Sequence, residues 1–84
     1  MPRPDELLEQ VLRGRSDARI SFFALRSLLL RLGFTERVHG SHHIFRRPGA
    51  RGILNLQRHG HEAKPYQVRQ VRRQLLLQGF RSDE

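Results

Sequence analysis

The chain has 84 residues and a formal net charge of +8, from sixteen Lys and Arg against eight Asp and Glu. It contains no cysteine, which excludes a disulfide-stapled module and a zinc-thiolate ribbon, and no apolar run approaches the roughly 20 residues of a membrane span. We therefore expect one small, soluble, cytoplasmic domain with an aliphatic core and no membrane association.

The positive charge is concentrated in the middle of the chain. Residues 37–73 contain nine of the sixteen cations and only one acid, Glu62, whereas the two ends are nearly neutral. All the cations except Lys64 are arginines, whose planar guanidinium binds phosphate in a bidentate manner. A charge run is usually a solvated face, but this excess favours a polyanionic partner or an acidic protein.

Two amphipathic helices are predicted in the first part of the chain. Residues 5–13 place three leucines and one valine on one face, and the helix ends at Gly14. A second helix follows Ser21, a favourable N-cap, and its leucines recur at i, i+3, i+4 and i+7 before Gly33-Phe34.

From Thr35 onward the period of the apolar residues changes from 3.6, typical of a helix, toward 2, typical of a strand. Three short strands are predicted at 36–39, 42–47 and 53–57, followed by a loop at 58–64 and a third helix that opens at Pro65. The order α-α-β-β-β-α predicts an α+β fold, with a three-stranded antiparallel sheet and the helices packed on one of its faces.

All five histidines lie between positions 39 and 61. His42 and His43 begin the second strand, where adjacent side chains point to opposite faces of the sheet. If Phe45 is a core residue, His42 projects outward. If Ile44 is the core residue, His43 does. We favour the first arrangement because phenylalanine buries more area.

An exposed histidine among arginines suggests chemistry on a phosphodiester. RNA carries its own nucleophile, the 2′-hydroxyl, so a site needs a base that titrates near neutral pH and cations for the developing charge. Such a site requires no cofactor. The alternative is a surface histidine with no chemical role, which the residue type alone favours.

Metal binding and serine hydrolysis are weaker interpretations. His59 and His61 form an H-x-H pair, but there is no cysteine and Glu62 is the only nearby carboxylate, so we predict no metal site. Ser41 lies beside two histidines but lacks a nucleophile elbow and an orienting acid.

Several segments together resemble the HicA toxins of HicA/HicB toxin-antitoxin pairs. The resemblance covers residues 20–80, and its segments are LLLRLGF, GSHHIFRRPG, ILNLQ and KPYQVRQVRRQLL. One departure is NLQRH, where many relatives have Pro-x-His. We predict a single domain over 1–84, with 1–19 a helical extension and 20–80 the family core.

The resemblance implies a double-stranded-RNA-binding-domain-like fold and metal-independent cleavage of mRNA. It also implies neutralisation by a HicB-like antitoxin protein. The catalytic histidine of the family falls in the G-S-H-H element, which makes His42 the first candidate and His43 the second. The predicted RNA contacts are Ser41, Arg46, Arg47, Arg58, His59, Lys64, Arg69, Arg72 and Arg73.

Two other functions remain open from the sequence. The same arginine surface suits an RNA- or DNA-binding module without catalysis. The chain could also be a degenerate toxin that acts only by binding its antitoxin.

Overall fold

The structure, a computed structural model, describes residues 3–82. The predicted domain limits at residues 1 and 84 lie outside that range. Within it, the elements in chain order are α1 (Pro4–Arg13), α2 (Phe22–Arg31), β1 (Thr35–His39), β2 (His42–Arg46), β3 (Leu54–Leu56), β4 (Arg58–His59), β5 (Glu62–Ala63) and α3 (Pro65–Leu77).

The main sheet is antiparallel, in the order β1-β2-β3. Its register pairs Arg37 with Ile44, and Ile44 with Asn55. Because directly paired residues share a face, these three side chains lie together on one side of the sheet. The predicted α+β architecture and element order are confirmed.

The segment predicted as a loop contains a small hairpin instead. β4 and β5 pair around Gly60, and β5 also lies against the start of α2: Ala63 N–H donates to Ile20 O at 2.8 Å, and Phe22 N–H donates to His61 O at 2.9 Å. Strands of two residues are too short to show alternation in a sequence, which is why the pattern did not predict them.

Both predicted helix ends with Gly-Phe are confirmed. Gly33 and Gly79 have φ of 98° and 94°, a backbone region that favours glycine. The following phenylalanines then reach back to the last turn, so that Phe34 N–H donates to Leu29 O and Phe80 N–H to Leu75 O, each at 3.0 Å. At the other end of α2, Ser21 Oγ accepts from Ala24 N–H as predicted.

The core lies between the three helices and one face of the sheet. Phe45, Leu54 and Leu56 supply the sheet side. The helices supply most of the other large side chains, which are Leu7, Val11 and Leu12 from α1, Phe22, Leu25, Leu28 and Leu29 from α2, and Val68, Val71 and Leu75 from α3. Ile20 and Phe34, on either side of α2, complete the set. The first helix is therefore part of the core.

α3 also runs beside β3, where it contacts the outer edge of the sheet. The buried amide of Gln67 accepts a hydrogen bond from Gln57 N–H at 3.2 Å, and Gln74 Nε2 donates to Arg51 O. These side chains pair with backbone groups that flank the edge strand β3 on either side. They also set the position of α3 relative to the sheet.

Candidate functional site

The two candidate catalytic histidines lie on opposite faces of β2. Phe45 is fully buried, so the interpretation that it is the core residue of this strand is confirmed. His43, two residues before it, is partly buried on the core side, whereas His42 is exposed on the outward face.

His42 is held by a neighbour on β3. Its Nδ1 lies 3.0 Å from Oδ1 of Asn55. An amide oxygen can only accept, so Nδ1 carries the proton in this contact. In the neutral ring the second nitrogen, Nε2, then has an available lone pair, which is the form required of a general base.

An open groove of about 510 Å³ runs between the outward side of the sheet and α3, and His42 forms part of its wall. Four of the α3 residues that line the groove share one helical stripe at i, i+4, i+7 and i+11, namely Tyr66, Gln70, Arg73 and Leu77. This stripe is distinct from the buried one of Val68, Val71 and Leu75. The groove therefore combines an imidazole, a guanidinium, an aromatic ring and amides.

Ser41 and Lys64 lie beside this groove. Ser41 Oγ accepts from Nε2 of Gln57, a groove residue, at 3.0 Å. Lys64 precedes α3, with its Nζ 6.0 Å from the centre of the Tyr66 ring. Among the predicted RNA contacts, Ser41, Lys64 and Arg73 are thus brought close to His42 or to the walls of its groove.

His43 is part of a separate polar network on the core side. Its Nδ1 donates to Glu36 Oε2 at 2.7 Å, and its ring packs edge-on against Phe22 with the centroids 4.9 Å apart. Arg26 holds the same carboxylate through Nε, at 2.8 and 2.9 Å from the two oxygens. Hydrogen bonding from Arg26, and secondarily from His43, holds the pKa of Glu36 below its ordinary value despite an opposing effect of burial.

Two of the predicted RNA-binding arginines make contacts within the protein. Arg72 donates to both carboxylate oxygens of Asp17 at 2.9 Å and to Val11 O at 3.2 Å, which joins α3 to α1 and the turn after it. The Arg72 guanidinium holds the pKa of Asp17 below its ordinary value. Arg47 donates to Leu32 O at 2.9 Å, and its guanidinium lies 5.0 Å from the centre of the Phe80 ring.

The remaining predicted contacts are spread over other surfaces. Arg46 is exposed at the end of β2, on the outward face. Arg58 and His59 are exposed on β4, with the Arg58 guanidinium 5.7 Å from the centre of the Phe23 ring. Arg69 is exposed on α3. None of these four residues lines the groove of His42.

Sequence reasoning left Gln70 out of the site. It left the role of Tyr66 open between contact with RNA and packing, and that of Asn55 and Gln57 open between contact with RNA and simple exposure to solvent. A usable signal for Gln70 was its helical spacing, because it lies four residues after Tyr66 and three before Arg73. No sequence signal pairs Asn55 with His42, since that contact depends on the register between β2 and β3.

Within residues 3–82, no three His, Cys, Asp or Glu side chains are grouped so that they could hold a metal ion. In the same range no helix is long and apolar enough to cross a membrane.

Comparison with known proteins identifies one family. The family described as HicA toxin of bacterial toxin-antitoxin matches residues 24–77, which cover α2 from its third residue, the whole sheet, the small hairpin and α3. No curated protein and no solved structure matches the chain.

Proposed function

Because the chain belongs to the HicA family of toxins from bacterial toxin-antitoxin pairs, we propose that it is an endoribonuclease that cleaves mRNA in the groove beside His42. The observation that carries the proposal is the contact between His42 Nδ1 and Asn55 Oδ1 at 3.0 Å. It leaves Nε2 of an exposed imidazole able to take a proton, in a groove that also contains Arg73.

The reaction uses the substrate's own nucleophile. Nε2 of His42 removes the proton of a ribose 2′-hydroxyl, and the resulting oxygen attacks the adjacent phosphorus. The bond from phosphorus to the 5′-oxygen breaks, and that oxygen takes a proton from a water molecule in the open groove. The hydroxide that remains takes the proton from Nε2, which restores the neutral ring of His42. The products are a 2′,3′-cyclic phosphate and a 5′-hydroxyl, and no metal ion or cofactor enters the balance.

Arg73 and Asn55 have supporting roles in this proposal. The Arg73 guanidinium stabilises the negative charge that grows on the phosphoryl oxygens during attack. Asn55 acts as a positioning residue, because its oxygen fixes which ring nitrogen of His42 carries hydrogen. His43 is the less suitable base, because its ring is partly buried on the core side of the sheet, is packed on Phe22 and does not line the groove.

The toxin family implies an antitoxin as partner, and we propose that it is a HicB-like protein that covers the groove. Nine cations against one acid in residues 37–73 favour an acidic surface on that partner. The same charge favours a nucleic acid as the substrate. With mRNA as that substrate, the proposal places both encounters in the cytoplasm.

The test is cleavage of mRNA by the purified protein in the presence of EDTA, with analysis of the ends of the products. We expect His42→Ala to lower the cleavage rate by at least about 100-fold, the usual contribution of a general base. His61→Ala is the matched control, because His61 is also exposed but lies in the turn between β4 and β5, outside the groove.

Equal cleavage by wild type and His42→Ala, or cleavage that stops in EDTA, would overturn the proposal. Salt-dependent retention of RNA without any cleavage would instead support a binding module.

A further inference from the structure

Tyr66 is the aromatic side chain of the groove, and it is unusually exposed. It follows Pro65 at the start of α3, and 46% of its surface is accessible. A tyrosine that packs in a core buries most of its ring, so the contribution of this one to folding is small. Its ring belongs to the same groove as His42 and Arg73.

The surroundings of Tyr66 match those of a stacking residue. Proline at the first helical position fixes the backbone that precedes the ring, and Gln67 Nε2 lies 3.5 Å from the Tyr66 hydroxyl. Positive charge lies near the ring: Lys64 Nζ is 6.0 Å from its centre, and Arg73 lines the same groove. A phosphate backbone in the groove would pass these cations. Aromatic rings in positively charged grooves are the usual platforms for the bases of single-stranded nucleic acid.

We propose that Tyr66 stacks against an unpaired nucleobase adjacent to the scissile phosphate, which makes single-stranded RNA the substrate class of this groove. The inference rests on the proposed function and adds a base-binding subsite to it. In a duplex every base is already stacked and paired, so its face is not available to a side chain. Gln70, exposed one turn after Tyr66, lies where its amide can meet the edge of the stacked base.

The subsite can be tested with single-stranded 2′-O-methyl oligonucleotides that contain one ribonucleotide. Cleavage is then confined to one phosphate, because only that ribose has a free 2′-hydroxyl. Each neighbouring position carries either a normal base or an abasic sugar. We expect Tyr66→Ala to lower kcat/KM roughly tenfold on the normal oligonucleotide, a typical loss for one base stack, and Tyr66→Phe to stay near wild type.

The abasic oligonucleotide provides the decisive comparison. With the stacked base removed, wild type and Tyr66→Ala should cleave at the same reduced rate. Addition of a complementary strand should remove the difference between them as well. Phe23→Ala is the matched control, because Phe23 has a similarly exposed ring, 45% accessible, that lies on α2 outside the groove.

A second readout separates this inference from the proposed function. A fully 2′-O-methylated oligonucleotide with 2-aminopurine at the neighbouring position cannot be cleaved, and stacking on tyrosine quenches its fluorescence. Quenching that is lost in Tyr66→Ala and kept in Phe23→Ala supports the subsite even if no variant cleaves RNA. The subsite alone is overturned if wild type and Tyr66→Ala show equal quenching and equal kcat/KM while cleavage still depends on His42. The proposed function then stands without the subsite.

Discussion

In two pairs of adjacent, identical residues, one member lines the groove and the other makes contacts within the protein. On β2, His42 faces the groove and His43 is bound to Glu36 under the sheet. On α3, Arg73 lines the groove and Arg72 is bound to Asp17. A step of one residue reverses the face of a strand and rotates a helix by about 100°. Under the proposed function, His42 and Arg73 act on RNA, whereas the contacts of His43 and Arg72 stabilise the fold.

The largest effect on stability is expected from Glu36→Ala. The substitution removes the acceptor of Arg26 and His43, and the His43 Nδ1–H then lies partly buried without its partner. We expect a loss of about 2 kcal/mol in the free energy of unfolding, the usual range for hydrogen bonds to a charged group.

Urea unfolding measures that loss, with Arg37→Ala as the control, because Arg37 is exposed on the same strand. Cleavage per folded molecule should stay near wild type. A large fall in cleavage with unchanged stability would reverse the roles assigned to the two faces of β2.

A smaller effect is expected from the arginine pair. Arg72→Ala should lower the free energy of unfolding by about 1 to 2 kcal/mol, because it removes both hydrogen bonds to the Asp17 carboxylate and one of those to Val11 O. Arg73→Ala should leave stability unchanged and weaken RNA binding. A plot of the logarithm of the binding constant against the logarithm of the salt concentration should become less steep by about 0.7, the value for one lost phosphate contact on a single strand.

Both variants need the same two measurements, thermal unfolding and RNA binding at several salt concentrations. If Arg72→Ala changed the salt slope as much as Arg73→Ala does, the division between these two arginines would be wrong.

The smallest expected effect is on the pH dependence of stability. The pKa of Glu36 is lowered in the folded protein from an ordinary value of 4.5, chiefly by Arg26. The unfolded chain therefore binds the proton more readily. The resulting stability is fully present above pH 4.5 and is lost as the pH falls through the lower folded-state pKa.

Urea unfolding at a series of acidic pH values checks this expectation. Glu36→Gln should flatten the decline in stability, and the slope that remains should come largely from Asp17, whose pKa is also lowered. Identical slopes for wild type and Glu36→Gln would contradict the assignment.

The sequence was sufficient for most of the fold because its patterns are local. Leucine spacing predicted α2, the Gly-Phe pairs predicted two helix ends, and the size of Phe45 predicted the outward face of His42. The hairpin of β4 and β5 was missed because strands of two residues have no period.

The site was harder to predict from the sequence because its contacts join distant parts of the chain. Arg72 and Asp17 are 55 residues apart, and Val11 is 61 residues from Arg72. Their neighbouring positions on the predicted helix therefore gave Arg72 and Arg73 the same predicted role. The groove itself is formed by an edge strand and a helix, and only their packing brings Tyr66 and Gln70 to the side of His42.

The buried amide of Gln67 has a consequence for any molecule that enters the groove. It joins one wall to the other through the Gln57 backbone, so the width of the cleft is set when the chain folds. A ligand then meets a preorganised shape, and little of its association free energy goes into ordering the protein. Selectivity should accordingly follow the rigidity of the incoming strand, with flexible single strands adapting to the cleft more readily than stiff ones.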